Sequence, residues 1–436
     1  MQRIFSLLVL TGLLLTGCKN EPIPNPNAPT IDQVIKNPTI ADLNNLVTGC
    51  EGGMRQELSL QIDILSIFGR EYYRFSGSEP RWTKDLVGKE DFSLNPSSYY
   101  CFNYWLYRYN VVKNANLLLT GVKNSVYLSN DKQRNGYIAF AKTIMAYQLL
   151  ICLNLTYENG IRTDVADPDK LGPFLTKDAA YTAIAQMLED ANTAMSNADF
   201  LFQLSPGFDG FSDVAGFRKF NRALAARVAV YRQKWTDALG FLQASFMNKG
   251  EGADLNTGVY HIYAAASGDL VNDLVTLPDG IAEIRFVQSS FAQDIDPADN
   301  RINKTSLRSA PITKDKLTSD RDFALYPKET SPVPIIRNEE LILIYAEASL
   351  QTNHLTEAAD ALNHIRTAHG LTARHDLDTK EKLLDEMLVQ RRFSLFGEGH
   401  RFIDMRRYNR LNTLPNDRPK DHVWQQLPLP AQDVQQ

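Results

Sequence analysis

The sequence predicts a mainly α protein: tetratricopeptide-like helix pairs with long irregular excursions and few short strands. Three observations predict it. Apolar residues recur at helical spacing over several long stretches. The segments 226–238 and 346–358 repeat one another, the first ending Trp235-Thr236-Asp237-Ala238 and the second Leu355-Thr356-Glu357-Ala358. Strand-like alternation is sparse, the clearest case being Ala282-Glu283-Ile284-Arg285-Phe286-Val287.

Taken in order, the chain opens with Met1-Gln2-Arg3, an apolar run from Ile4 to Leu15, and Thr16-Gly17-Cys18. A basic start, a short apolar run and small residues describe an export signal. The run is too short for a permanent spanning helix. Its ending resembles that of lipoproteins, in which the Cys becomes the first mature residue and carries lipid, palmitate included. Residues 1–17 are therefore expected to be removed and Cys18 to be the anchor. Residues 18–30, rich in Pro and Asn, read as an extended tether. Residues 31–436 read as one helical domain. No later stretch approaches the roughly 20 apolar residues of a spanning helix, so the lipid is expected to be the only membrane attachment.

The helices follow from spacing. In 136–155 the apolar positions are Ile138, Ala141, Ile144, Met145, Leu149 and Cys152, one broad buried face. In 99–119 a face carries Trp105, Tyr109, Val112, Asn116 and Leu119. An alanine-rich helix covers 177–195. In the repeated pair a helix breaks at a polar turn, and Thr236 and Thr356 are expected to cap the next helix. Leu341, Ile344, Tyr345 and Ala348 point inward from a helix over 337–350, and Gly370 suits a left-handed cap. Asp378 with Glu381 resembles a capping box for a helix running to about Phe396. The stretches 66–100, 200–216 and 250–335 are too long for connectors and read as functional excursions.

Composition excludes several functions. With 44% hydrophobic and 22% charged residues in 436, the chain can bury a large core. Its net charge of −5 becomes −6 without Arg3, and basic residues are dispersed, so no footprint for nucleic acid is present. Beside Cys18 stand Cys50, Cys101 and Cys152, with no CxxC pair; they read as small buried residues. His354, His364, His369 and His375 lack HExxH spacing, and no metal ligand is assigned. The run from Asp294 to Asn300 has carboxylates that suit calcium but lacks the glycine and glutamate of an EF-hand. No GxSxG element supports a serine hydrolase. Gly397-Glu398-Gly399 follows no strand and is not a nucleotide loop.

Four blocks carry a family resemblance. They are the lipidation-type leader with its tether; Trp105, Tyr109 and Asn116; Arg337-Asn338-Glu339-Glu340 leading to Tyr345-Ala346-Glu347-Ala348 and Leu362-Asn363-His364-Ile365-Arg366; and the run from Gln390 to Arg407, with Phe396-Gly397-Glu398-Gly399-His400-Arg401 at its centre. The chain resembles SusD/RagB nutrient-binding lipoproteins of the outer membrane. One departure is Gln390, where members often have Glu. The resemblance implies an oligosaccharide- or peptide-binding protein without catalysis or cofactor. It implies a SusC-type TonB-dependent transporter as partner and a surface-exposed, lipid-anchored location.

A sugar ring offers an apolar face to Tyr or Trp and hydroxyls to Asn, Asp or Arg. Tyr72, Tyr73, Arg81 and Trp82 have that mixture and, with Phe291, are the expected ligand contacts. Tyr260, Tyr263, Asp294, Asp296 and Asn300 are secondary candidates. Arg391, Arg392, Glu398, Arg401 and Asp404 read as an ion-pair network tying the last helix down, rather than as an anion site. A helical-scaffold glycoside hydrolase needs two carboxyl groups across a cleft; no pair stands out.

Overall fold

The computed structural model describes residues 35–434. The expected leader 1–17, Cys18 and the tether 18–30 lie outside the described residues.

Helix α1 (Ile40–Met54) starts at a capping box in which Thr39 and Asp42 exchange hydrogen bonds. It is followed by α2 (Leu58–Phe68) and strand β1 (Tyr72–Phe75). Two long helices, α3 (Tyr99–Asn124) and α4 (Asp131–Thr156), pack together, with α1 against α3 and α5 (Lys177–Ala194) against α4. Over Asp131–Asn159 the chain is long and apolar enough to cross a membrane, yet its apolar 18-residue window is 89% buried inside the fold. It is the central core helix. The two-residue strands β2 (Ile161–Arg162) and β3 (Phe174–Leu175) pair between α4 and α5.

The repeated segments form two helix pairs, α6 (Val214–Tyr231) with α7 (Trp235–Gln243), and α9 (Asn338–Gln351) with α10 (Leu355–Ala368). Both turns are built alike. Lys234 N–H donates to the Ala229 carbonyl and His354 N–H to the Ser349 carbonyl, each at 2.8 Å. Gln233 and Asn353, the residues before them, are left-handed, with φ of 58° and 67°. The expected Thr caps do not form: Thr236 and Thr356 lie inside α7 and α10, which start without a side-chain cap. The backbone turn sets the entry two residues earlier, at Lys234 and His354.

Between the pairs lie β4 (Gly258–His261), β5 (Ile284–Val287), the short α8 (Ser290–Asp294), β6 (Thr305–Lys314), β7 (Leu317–Phe323) and β8 (Val333–Arg337). They form an antiparallel sheet of order β1-β5-β7-β6 and a separate β4-β8 ladder. All four residues of β5 are buried, because Phe286 faces the main helical core and Val287 a second core under the sheet. Alternation located this strand but not its surroundings. A third core lies beneath α9, α10 and α11 (Lys380–Ser394). Thr379, not Asp378, caps α11, accepting from Lys382 N–H; Asp378 instead holds the Lys382 ammonium. Gly370, Gly397 and Gly399 all have positive φ. The chain ends through α12 (Arg401–Arg407) and a last turn, α13 (Ala431–Val434).

Candidate functional site

The five expected contacts are placed differently from a binding surface. Tyr72 is fully buried beneath the sheet, 4.8 Å from the Phe323 ring, and its hydroxyl donates to Asp63 Oδ1 at 2.8 Å. Phe291 stacks in the same core, 4.3 Å from Phe396. Tyr73 packs on Phe286 and its hydroxyl donates to Asp417. Trp82 is 3% exposed, with the Arg74 guanidinium 4.1 Å over its ring and Tyr99 against it. These four aromatics offer no open ring face. Only Arg81 reaches solvent, held by Glu79 above the Tyr99 ring.

The reason is Asp63. Its buried carboxylate accepts Arg285 Nε and Nη2 at 2.6 and 2.8 Å and Arg74 Nη1 at 2.7 Å. Burial pushes its acid up, but the Arg285 and Arg74 charges outweigh that and hold it below the usual carboxylate range. Arginines that resemble a polar loop in sequence are thus drawn inward. Among the secondary candidates, Tyr260 bonds the Asn256 carbonyl and Tyr263 lies under Arg55. Asp294 pairs with Arg392, Asp296 caps Ala298 N–H, and Asn300 meets His369. The acidic run is committed to such contacts. Among the described residues, no group of three or more His, Cys, Asp or Glu is placed to hold a metal ion.

The charged block is structural for the most part. Arg391 and Arg407 share Asp404 at 2.7 Å each, Arg407 also pairs with Glu347, and Arg337 with Glu398. Gln390 accepts from Arg301 and donates to Glu386, a bridge a carboxylate there could not make. Cys50, Cys101 and Cys152 are buried free thiols, and burial pushes Cys50 and Cys101 up to about 12.

An open groove of about 760 Å³ runs along α3. Its other walls are the 162–171 loop and the C-terminal segment 430–433. Helical spacing of three and four puts Phe102, Trp105, Leu106, Tyr109, Lys113 and Asn116 on one face. Trp105, 4% exposed, packs on Tyr109 with centroids 4.6 Å apart and ring planes tilted by 36°. The Tyr109 hydroxyl donates to the Arg162 carbonyl at 2.6 Å, fixing the loop to the helix. Burial raises the Asp433 acid despite the nearby Trp105 indole and Arg162 charge. Leu106 is 37% exposed, and Asn110, Lys113 and Asp167 form a solvated rim. Two donors remain enclosed without partners, Asn116 Nδ2 and Arg162 Nε. Ile35 lies at one edge, its carbonyl accepting from Asn124. An apolar floor, an amide rim and unsatisfied donors suit a ligand with both ring faces and hydroxyls. The sequence marked Trp105, Tyr109 and Asn116 as a motif without reading them as ligand contacts; their shared face with exposed Leu106 was the available sign.

Residues 298–433 match the SusD family. No curated protein matches the chain. Among solved structures, the fold is similar to surface glycan-binding protein A from Bacteroides thetaiotaomicron in complex with laminarihexaose, at TM-score 0.70 and 14% identity over 91% of this chain and 97% of that one. It is also similar to surface glycan-binding protein A from Bacteroides uniformis, at 0.63 and 17% over 85% and 88%. A SusD superfamily protein from Bacteroides vulgatus gives 0.67 and 14% over 91% and 97%. The tetratricopeptide-like helical architecture is therefore the fold these solved structures share, and residues 298–433 carry the match to the SusD family.

Proposed function

We propose that this protein binds an oligosaccharide in the α3 groove without cleaving it and hands it to a SusC-type TonB-dependent transporter. In this reading a lipid on Cys18 holds it at the outer-membrane surface. The observation that carries the reading is the groove, where half-buried Phe102 and Tyr109 and exposed Leu106 form an apolar wall beside the solvated Asn110, Lys113 and Asp167. The solved glycan-binding proteins of this fold support the ligand class.

Calorimetry with laminarihexaose and a panel of other oligosaccharides tests the reading. Binding is expected to weaken about tenfold or more in the double variant Asn110→Ala, Asp167→Ala, whose side chains are solvated in the free protein. Affinity unchanged in that variant removes the groove from the site. Chromatography of the incubated sugar separates binding from catalysis: shortened products would make the protein a hydrolase. A peptide panel that binds where sugars do not would move the ligand class to peptide.

A further inference from the structure

Most of the charged block of the C-terminal region is neutralised by ion pairs; among the described residues Arg401 and Arg406 make none, and of these two Arg401 lines an open cleft. A cleft of about 450 Å³ opens between α8, α11, α12 and the segment 410–415. Its wall charges pair off. Arg410 holds Asp385 at 2.6 Å, and Asp404 is shared by Arg391 and Arg407. Arg392 holds Asp294 at 2.6 Å through Nη1 and Ser290 Oγ at 2.8 Å through Nη2.

Arg401 lines the same cleft, is nine-tenths buried and makes no ion pair. Its Nη1 donates to the Arg70 carbonyl at 3.2 Å, and its Nε has no partner. Arg392 Nε has none either. The carboxylate acting most strongly on Arg401 is Glu71, which stays out of ion-pair contact and is itself fully enclosed. Burial pushes the Glu71 acid up to about 7, despite the Arg401 charge. Burial and the neighbouring Arg392 push Arg401 down from its ordinary range, which marks a cation poorly compensated by its surroundings.

We propose that this cleft binds an oxyanion carried on a sugar, either a carboxylate or a sulfate ester, with Arg401 and Arg392 as its donors. The proposal rests on the glycan-binding reading but concerns a place apart from the α3 groove. Guanidinium forks match the planar or trigonal oxygens of such groups and bond them through charge-assisted hydrogen bonds. Asp294 is 54% exposed at the side chain, so an incoming oxyanion can replace it on Arg392. Leu388, Val389 and Met405 supply apolar wall for the ring that carries the charge.

The test uses saturation-transfer NMR on the full chain with sodium glucuronate, glucose 6-sulfate, glucose and sodium acetate as probes. At least one charged sugar is expected to bind about tenfold tighter than glucose, and the tighter of the two identifies the oxyanion. Arg392→Gln is expected to weaken that binding about tenfold while leaving the melting temperature unchanged. Arg401→Met is expected to abolish it, with circular dichroism reporting whether this buried variant folds. Charged and neutral sugars binding alike overturns the proposal, as does undiminished binding in folded Arg392→Gln. Laminarihexaose bound with the charged sugars silent also overturns it and leaves the α3 groove standing. Glucuronate bound, with no oligosaccharide bound in the groove, supports the cleft and removes the groove.

Discussion

Asp63 and Asn116 sit in opposite situations. Asp63 is enclosed with two guanidinium groups and a tyrosine hydroxyl arranged around its two oxygens. Asn116 is half-buried beside an open groove, with its amide nitrogen enclosed and unpartnered. The first arrangement has no capacity left for a ligand; the second keeps an unused donor beside an open wall. Polar residues at the β1 end of the molecule therefore hold the fold, and those along α3 are available for recognition.

The sharpest way to break this contrast is Asp63→Asn. It leaves Arg285 buried opposite a neutral group and is expected to cost about 3–5 kcal/mol in urea unfolding. A loss below about 1 kcal/mol would show that the hub is not saturated. Because the folded protein holds this carboxyl below its usual value, its stabilisation is complete above the unfolded carboxylate range, about pH 4, and is lost as pH falls through the folded value. The wild-type protein should lose that increment under acid conditions and the variant should not.

His261 sharpens the comparison with a buried group of the other sign. Burial, then the nearby Arg108 and Arg55 charges, push it down to about 3, so it is neutral when folded. The unfolded chain takes up its proton below about pH 6.5. Stability from this residue is thus complete above about pH 6.5 and falls by up to about 1.4 kcal/mol per pH unit between there and about pH 3. His261→Gln should flatten that slope in unfolding curves collected across the range.

Smaller effects are expected where the polar groups are open. Asn116→Ala should weaken oligosaccharide binding about tenfold with stability changed by less than about 1 kcal/mol; calorimetry and thermal melts read the two separately. Arg81→Ala, which removes a half-exposed partner of Glu79, should cost only about 0–1 kcal/mol. A large loss there would place Arg81 with the structural hubs.

The same contrast explains what was legible in the sequence. Helices α3, α4 and α5 follow from spacing, because a stripe of apolar residues must be buried whatever covers it. The twin turns at Gln233 and Asn353 were visible as a repeat, although the backbone rather than Thr236 or Thr356 closes them. Tyr72, Tyr73 and Trp82 misled because an aromatic beside an arginine reads alike in a binding loop and in a buried strand. What separates the two is the position of Asp63, Arg285 and Phe286, and only the fold brings those together with β1. The α3 face was readable as a helix stripe, but its second wall comes from 162–171 and 430–433, far away along the chain.

Ile35 at the groove's edge has a mechanical consequence. A fatty-acylated Cys18 would sit no farther from that edge than the span of the intervening chain, about 60 Å at full stretch. The groove is then confined to a shallow shell above the bilayer, where a captured molecule stays within range of any channel mouth beneath it.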